Sequence, residues 1–251
     1  FEELKSKFNI EKVFSHMETG LKSSYDRDLK FKKYCKENNI EWIEDINNGV
    51  FRKLQSRDNW ILNWNNYMKE KIRVFNPKVE DFITLNKKSK FERKIIKPKK
   101  SKFQCGGSTY ALKYLETFLE TRIDKYQNNI SKPELSRINC SRLSPYIAWG
   151  NLSTRYIWQR AKEKLNHGKS KFQINGFTSR LRWEAHFIQK FESEPTIEFN
   201  NINKGFNILN KKINPSYIQK WEIGQTGYPL VDASIRCLKD TGYINFRMRA
   251  L

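Results

Sequence analysis

The sequence predicts an α/β region followed by a mainly helical one, α/β plus α, and three observations predict it. Strand and helix signals alternate over the first seventy residues, basic residues then accumulate without periodicity up to Phe103, and beyond Gly106-Gly107 apolar residues recur at intervals of three and four. That last spacing is the period of one helix face.

A Lys/Glu-rich opening precedes the short apolar run Val13-Phe14-Ser15, a charged helical stretch from Tyr25 to Glu37 and a second strand at Ile40-Glu41-Trp42-Ile43. Strand, helix, strand is the grammar of a parallel sheet with a crossover helix, and residues 1–70 hold only part of such a sheet. Asn48-Gly49-Val50 supplies a turn. Trp60, Ile61, Trp64 and Met68 then place a stripe on one helix face, which core packing accounts for. Residues 71–103 read as a basic interdomain linker, with Lys87, Lys88, Lys90, Arg93, Lys94 and Lys97 among its cations and Pro77 and Pro98 interrupting it; such a run repels itself and stays solvated. Residues 104–251 form the helical domain. Its first helix has Ser108 as candidate N-cap and the stripe Ala111, Leu112, Leu115, Phe118, Leu119 and Ile123. Further helices are predicted at 153–165 (apolar face Ile157, Trp158, Ala161, Leu165), 176–191 and 229–238, with Gly and Pro falling between them.

Composition narrows the function. The 251 residues carry 48 Lys+Arg against 27 Asp+Glu, a formal charge of +21, which favours a polyanionic partner, although abundant Asn, Ile and Lys are also what AT-rich coding produces. Cys35, Cys105, Cys140 and Cys237 are scattered without a CxxC pair and only three histidines accompany them. Neither a disulfide framework nor a metal site is indicated. No run of about 18 apolar residues is present, so a cytoplasmic protein without a membrane segment is expected. Phe1 is not an initiator Met and the last residues carry no helix stop signal, so both ends are expected to be breaks in a longer chain.

The most informative string is Asn139-Cys140-Ser141-Arg142-Leu143-Ser144-Pro145-Tyr146-Ile147-Ala148-Trp149-Gly150-Asn151-Leu152-Ser153. Hydroxyls and an arginine stand directly before a proline that favours a first helical turn, so donors converge where backbone N–H groups are free, a phosphate cradle. Plain capping by Ser141 and Ser144 is the alternative. The string resembles the flavin-binding signature S-R-L-S-P-Y-L-A-x-G-x-L-S of the photolyase/cryptochrome family. Upstream, Gly106-Gly107-Ser108 through Phe118-Leu119 and Arg122 to Tyr126 are similar to that family's G-G-x-x-A-x-x-x-L-x-x-F-L and the tyrosine after it. Downstream, Trp221 and Gly224-Gln225-Thr226-Gly227-Tyr228-Pro229-Leu230-Val231-Asp232-Ala233 resemble W-x-x-G-x-T-G-Y-P-x-V-D-A. Tyr25-Asp26-Arg27-Asp28 and Asn48 through Trp60 look like the end of the family's antenna domain.

The resemblance implies a partial Rossmann-like α/β antenna domain over 1–70 and an incomplete helical FAD-binding domain over 104–251. It places Tyr126, Cys140, Ser141, Arg142, Leu143 and Ser144 around the FAD diphosphate and ribityl region, allows a second, antenna chromophore, and names no catalytic side chain, because light and flavin do the chemistry. It implies a monomer acting on DNA that contains pyrimidine lesions, with Arg180, Trp183 and Arg247 on the DNA and lesion, or else a cryptochrome-type photoreceptor without repair. Departures from the family pattern are visible. Arg180 stands where photolyases have a dimer-binding Glu, Trp183-Glu184-Ala185-His186 replaces Trp-Arg-Glu-Phe, and the outermost tryptophan of the electron relay falls near Lys211. His186 is either a tuner of flavin protonation or a packed helix residue. Further flavin-binding segments are expected after Leu251, so residues 1–251 alone are expected to bind FAD weakly or not at all.

Overall fold

The computed structural model describes residues 1–83, 102–209 and 212–250. The predicted linker cations from Lys87 to Lys100 and the relay position at Lys211 lie outside these residues. In chain order the described residues form α1 (Glu2–Lys5), β1 (Lys12–His16), α2 (Lys22–Glu37), β2 (Glu41–Asp45), α3 (Trp60–Lys69), α4 (Ser108–Glu120), α5 (Tyr126–Asn129), α6 (Leu135–Asn139), α7 (Ser144–Ala148), α8 (Thr154–Glu163), α9 (Lys171–Ser193), α10 (Pro215–Ile223) and α11 (Pro229–Thr241). Helix dominates, beside one small parallel sheet.

The chain divides into two compact units, each discontinuous in sequence: Phe1–Glu70 with Ser153–Ile213, and Lys71–Leu152 with Asn214–Leu251. In the first, β1 and β2 pair in parallel with Lys12 opposite Glu41 and His16 opposite Asp45, α2 being the crossover that a parallel pair requires. The predicted stripe of α3 buries Trp60, Trp64 and Met68, whereas Ile61, one position off that face, is 51% exposed. The two indoles also hold the preceding turn, Trp60 Nε1 donating to the Gly49 carbonyl (3.2 Å) and Trp64 Nε1 to that of Asn48 (3.1 Å). Gly49 has φ +70, and a Cβ there would come within 2.6 Å of Trp64, so the turn needs glycine for its backbone and for its neighbour. Ile157 and Ala161 of α8 and Ile174, Phe177, Leu181 and Ala185 of α9 complete this core. Gln189 of α9 is fully buried and engages Phe51 twice, accepting from its N–H (2.8 Å) and donating to its carbonyl (2.9 Å).

The second unit is helical. Ala111, Leu115, Phe118 and Leu119 of α4 are fully buried with Ile123, while Leu112, read as part of the same stripe, is 38% exposed. Ser108 is the first helical residue and caps nothing. The N-cap is Gly107 at φ 97, a conformation that a β-carbon disfavours. Four helix bounds also differ from expectation, α2 beginning at Lys22 where Tyr25 is expected. The helix expected at 153–165 ends at Glu163, with Ser153 outside it as a cap accepting from the Tyr156 N–H. The one expected at 176–191 runs Lys171–Ser193 with Gly176 buried inside it. The one expected at 229–238 continues to Thr241, where Gly242 ends it in the left-handed region.

Candidate cofactor-binding site

The segment 140–144 is pinned from one side. The Cys140 N–H closes the end of α6 on the Ser136 carbonyl (3.0 Å), and the chain leaves the helix extended at Cys140 (φ −79, ψ 156). Arg142 takes φ 58 and Leu143 returns to φ −89, ψ −12 before α7 begins. Arg122 donates to the Cys140 carbonyl (2.6 Å), and Gln104 donates to the Arg142 carbonyl (3.1 Å) while accepting from Arg142 Nε (2.9 Å).

A trans peptide aims its N–H opposite to its carbonyl, so the Ser141 and Leu143 amides point away from Arg122 and Gln104. The backbone N–H groups of Ser141, Arg142, Leu143 and Ser144, and the hydroxyls of Ser141 and Ser144, have no hydrogen-bond partner among the described residues. A left-handed residue followed by a right-handed one turns successive amides into a concavity for an anion. A non-glycine residue in the left-handed region costs roughly 1 kcal/mol, and here two fixed carbonyls hold it. This donor set fits a diphosphate, and it does so through backbone. The Arg142 guanidinium, read from sequence as the nearby cation, lies instead on the carbonyl side, 4.4 Å from the centre of the Tyr243 ring.

Cys140 of the segment and Tyr243 beside it are both buried. Burial pushes the Cys140 thiol up to about 11 and the Tyr243 phenol up to about 12. Burial keeps both neutral, the Tyr243 side chain opposing it in part at Cys140, so Cys140 offers a ligand no charge of its own. Tyr126 is buried, its ring edge-on to Phe118 at 5.5 Å. The sequence reading does not anticipate the positioning roles of Gln104, Arg122 and Tyr243. Arg122 falls within a quoted motif, but Gln104 and Tyr243 reach the segment across long sequence separations and carry no local signal.

The motif from Gly224 to Ala233, in the same unit, holds a loop that is closed. The Asp232 carboxylate accepts from the Thr226 N–H (2.8 Å), the Thr226 hydroxyl (2.7 Å) and the Gly227 N–H (3.1 Å). Those bonds hold it below the usual carboxylate range against the opposing effect of burial.

Arg180 and Trp183 stand three residues apart on α9, hence on one face, in the first unit. The Arg180 guanidinium lies 4.2 Å from the centre of the Trp183 ring, and Trp183 is 49% exposed. His186 is a packed residue, its ring 5.8 Å from Trp60 and 5.5 Å from Phe187. Arg247 belongs to the second unit, is exposed, and donates to the Ser131 hydroxyl at 3.3 Å. The structure therefore places Tyr126, the 140–144 segment and Arg247 in one unit and Arg180 with Trp183 in the other. The first unit also has a cleft of about 420 Å³ lined by Lys22, Tyr25, Phe191, Glu192 and Phe199.

Residues 177–251 match the family model described as the FAD binding domain of DNA photolyase. A deoxyribodipyrimidine photo-lyase of Alkalihalophilus pseudofirmus is 30% identical over 145 residues, 58% of this chain and 29% of that protein. A cryptochrome DASH of Synechocystis sp. is 33% identical over 112 residues, 43% of this chain and 22% of that protein. The match thus spans less than a third of either relative. Among solved structures, a bacterial class III photolyase from Agrobacterium tumefaciens has a TM-score of 0.78 at 19% identity, over 99% of this chain and 54% of that one. The Synechocystis cryptochrome has a TM-score of 0.74 at 21% identity, over 98% and 55%. At these identities the structures show a shared fold.

Proposed function

The chain is a relative of the photolyases and cryptochromes, and from that premise we propose that it serves light-driven, FAD-dependent repair of pyrimidine dimers in DNA. The observation that carries this reading is the row of amides from Ser141 to Ser144 that have no partner among the described residues, a preformed seat for the FAD diphosphate. On this reading 104–251 supplies FAD-binding residues and 1–70 part of an antenna domain. Bound FAD in its reduced form supplies, on illumination, the electron that splits the dimer. The protein's own residues bind and orient: the 141–144 amides hold the diphosphate, buried Tyr126 supports the same unit, and Arg122 and Gln104 keep the amides aimed.

Trp183 offers an exposed indole for a base taken out of the stack, and such stacking contributes about 1–3 kcal/mol per base. Arg180 lies over that indole and brings a cation near the DNA backbone, with Arg247 as a second phosphate contact. The exposed Trp183 and the formal charge of +21 favour repair over a photoreceptor that does not engage DNA. The cleft beside Tyr25, with the aromatic rings of Phe191 and Phe199, is the place we assign to a second, planar chromophore. The proposal takes the protein to be a cytoplasmic monomer.

The test is illumination of the FAD-reconstituted, reduced protein with ultraviolet-treated oligothymidylate. Repair predicts light-dependent loss of dimers that is weakened in Trp183→Ala. Stoichiometric flavin with dimers persisting under light is the photoreceptor outcome.

A further inference from the structure

Arg122, Arg137 and Arg142 line one cleft of about 520 Å³ in the second unit, walled by Phe103, Tyr110 and Tyr114. All three are half-buried, and all their acceptors among the described residues are neutral. Arg122 donates to the Cys140 carbonyl (2.6 Å), the Tyr114 carbonyl (2.6 Å) and the Thr117 hydroxyl (3.2 Å). Arg137 donates to Cys237 Sγ (2.9 Å) and the Tyr243 carbonyl (3.2 Å), and Arg142 uses only Nε, toward Gln104. None of the three has an ion pair among the described residues.

A guanidinium is almost never taken fully out of water unless it is paired, and these three are part of the way there. Here burial pulls Arg122 below the usual arginine range; Tyr114 opposes this in part, and the like charge of Arg142 adds to it. Arg137 and Arg142 share a neighbour, the ring of Tyr243, at 5.9 and 4.4 Å from its centre, and each keeps N–H donors that have no partner among the described residues. The cleft is separate from the amide concavity: it lies on the side to which the Cys140 and Arg142 carbonyls turn, and the amides face the other way.

We propose that this cleft binds a small phosphate ester bearing a planar group, of mononucleotide size, with the phosphate on Arg137 and Arg142 and the planar group against Tyr110. Guanidinium groups match phosphate oxygens in a bidentate fork. Tyr110, 45% exposed, offers a ring face for stacking. The volume lies within the range of small-molecule sites, about 300–1,000 Å³.

The test is calorimetric titration of the chain with adenosine 5′-monophosphate, adenosine and inorganic phosphate at about 0.15 M salt, where non-specific attraction to a basic surface is screened. Expected are saturable 1:1 binding of the monophosphate, none of adenosine, and weaker competition by phosphate. Arg137→Gln is expected to weaken monophosphate binding about tenfold or more. Tyr110→Ala, at a position 45% exposed, weakens it severalfold; Lys239→Gln, exposed and outside the cleft, leaves it unchanged. Absence of saturable binding, adenosine binding as tightly as the monophosphate, or insensitivity to both Arg137→Gln and Tyr110→Ala overturns the proposal. So does displacement of the monophosphate by FAD, which would make the cleft part of the flavin seat.

Discussion

Two loops of the helical unit are built from similar material and finished in opposite ways. Around Thr226 and Gly227 the backbone amides and a hydroxyl converge on a carboxylate that the chain itself supplies, Asp232. From Ser141 to Ser144 the amides and hydroxyls meet no acceptor among the described residues. A closed loop is architecture, because its polar groups are used up in holding α10 to α11. An open one needs an anion from outside. The presence or absence of an internal acceptor, more than residue type, separates a structural motif from a binding one.

This contrast can be broken experimentally. Asp232→Ala opens the closed loop and is expected to lower the midpoint of chemical denaturation more than any other variant named here. The pH dependence follows the same group. Its carboxyl sits below the usual range when folded, so its contribution is present above the ordinary aspartate range and is lost as pH falls through the lowered value; Asp232→Asn should flatten the acid limb of the stability profile. Next in size is Ser141→Pro, which deletes one amide of the open loop. Cys140 already has the extended backbone that a following proline requires, so FAD affinity, followed by flavin fluorescence, should fall about tenfold with one hydrogen bond to a charged group lost. Unchanged affinity would mean that the diphosphate sits elsewhere. Thr226→Ala removes one of the closed loop's bonds to Asp232 and should lower the denaturation midpoint by a smaller step than Asp232→Ala, with flavin affinity unaltered. The smallest effect belongs to Arg142→Gly. Glycine takes the left-handed backbone freely, which offsets the lost stacking on Tyr243, so stability should stay within about 1 kcal/mol. Flavin affinity should persist if amides carry the anion and collapse if the guanidinium does.

What is legible in the sequence is local. The strand–helix–strand order, the stripe of α3 and the stripe of α4 follow from spacing that each segment carries within itself. Helix α10 is not among the expected helices, although its signals are just as local: Asn214 caps it through its side chain onto the Ser216 and Tyr217 amides, Pro215 opens it and Gly224 closes it left-handed. Gly176 misleads because a glycine reads as a breaker, whereas here it is a buried position inside α9. In the site, the segment 140–144 is readable from its hydroxyls, arginine and proline, and its side is not. Which way the amides face is decided by Arg122 and Gln104, and the destination of the Arg142 side chain by Tyr243, all contacts between stretches far apart in the chain.

The discontinuity of the first unit bears on how this protein is made. Trp64 and Met68 leave the ribosome before α8 and α9, which share their core and are separated from them by the whole stretch from Lys71 to Leu152. At roughly 5–20 residues per second of translation, the nascent chain carries an uncovered aromatic face for on the order of ten seconds. Chaperone holding during synthesis would matter most in that interval, and slower codons placed there would lengthen it.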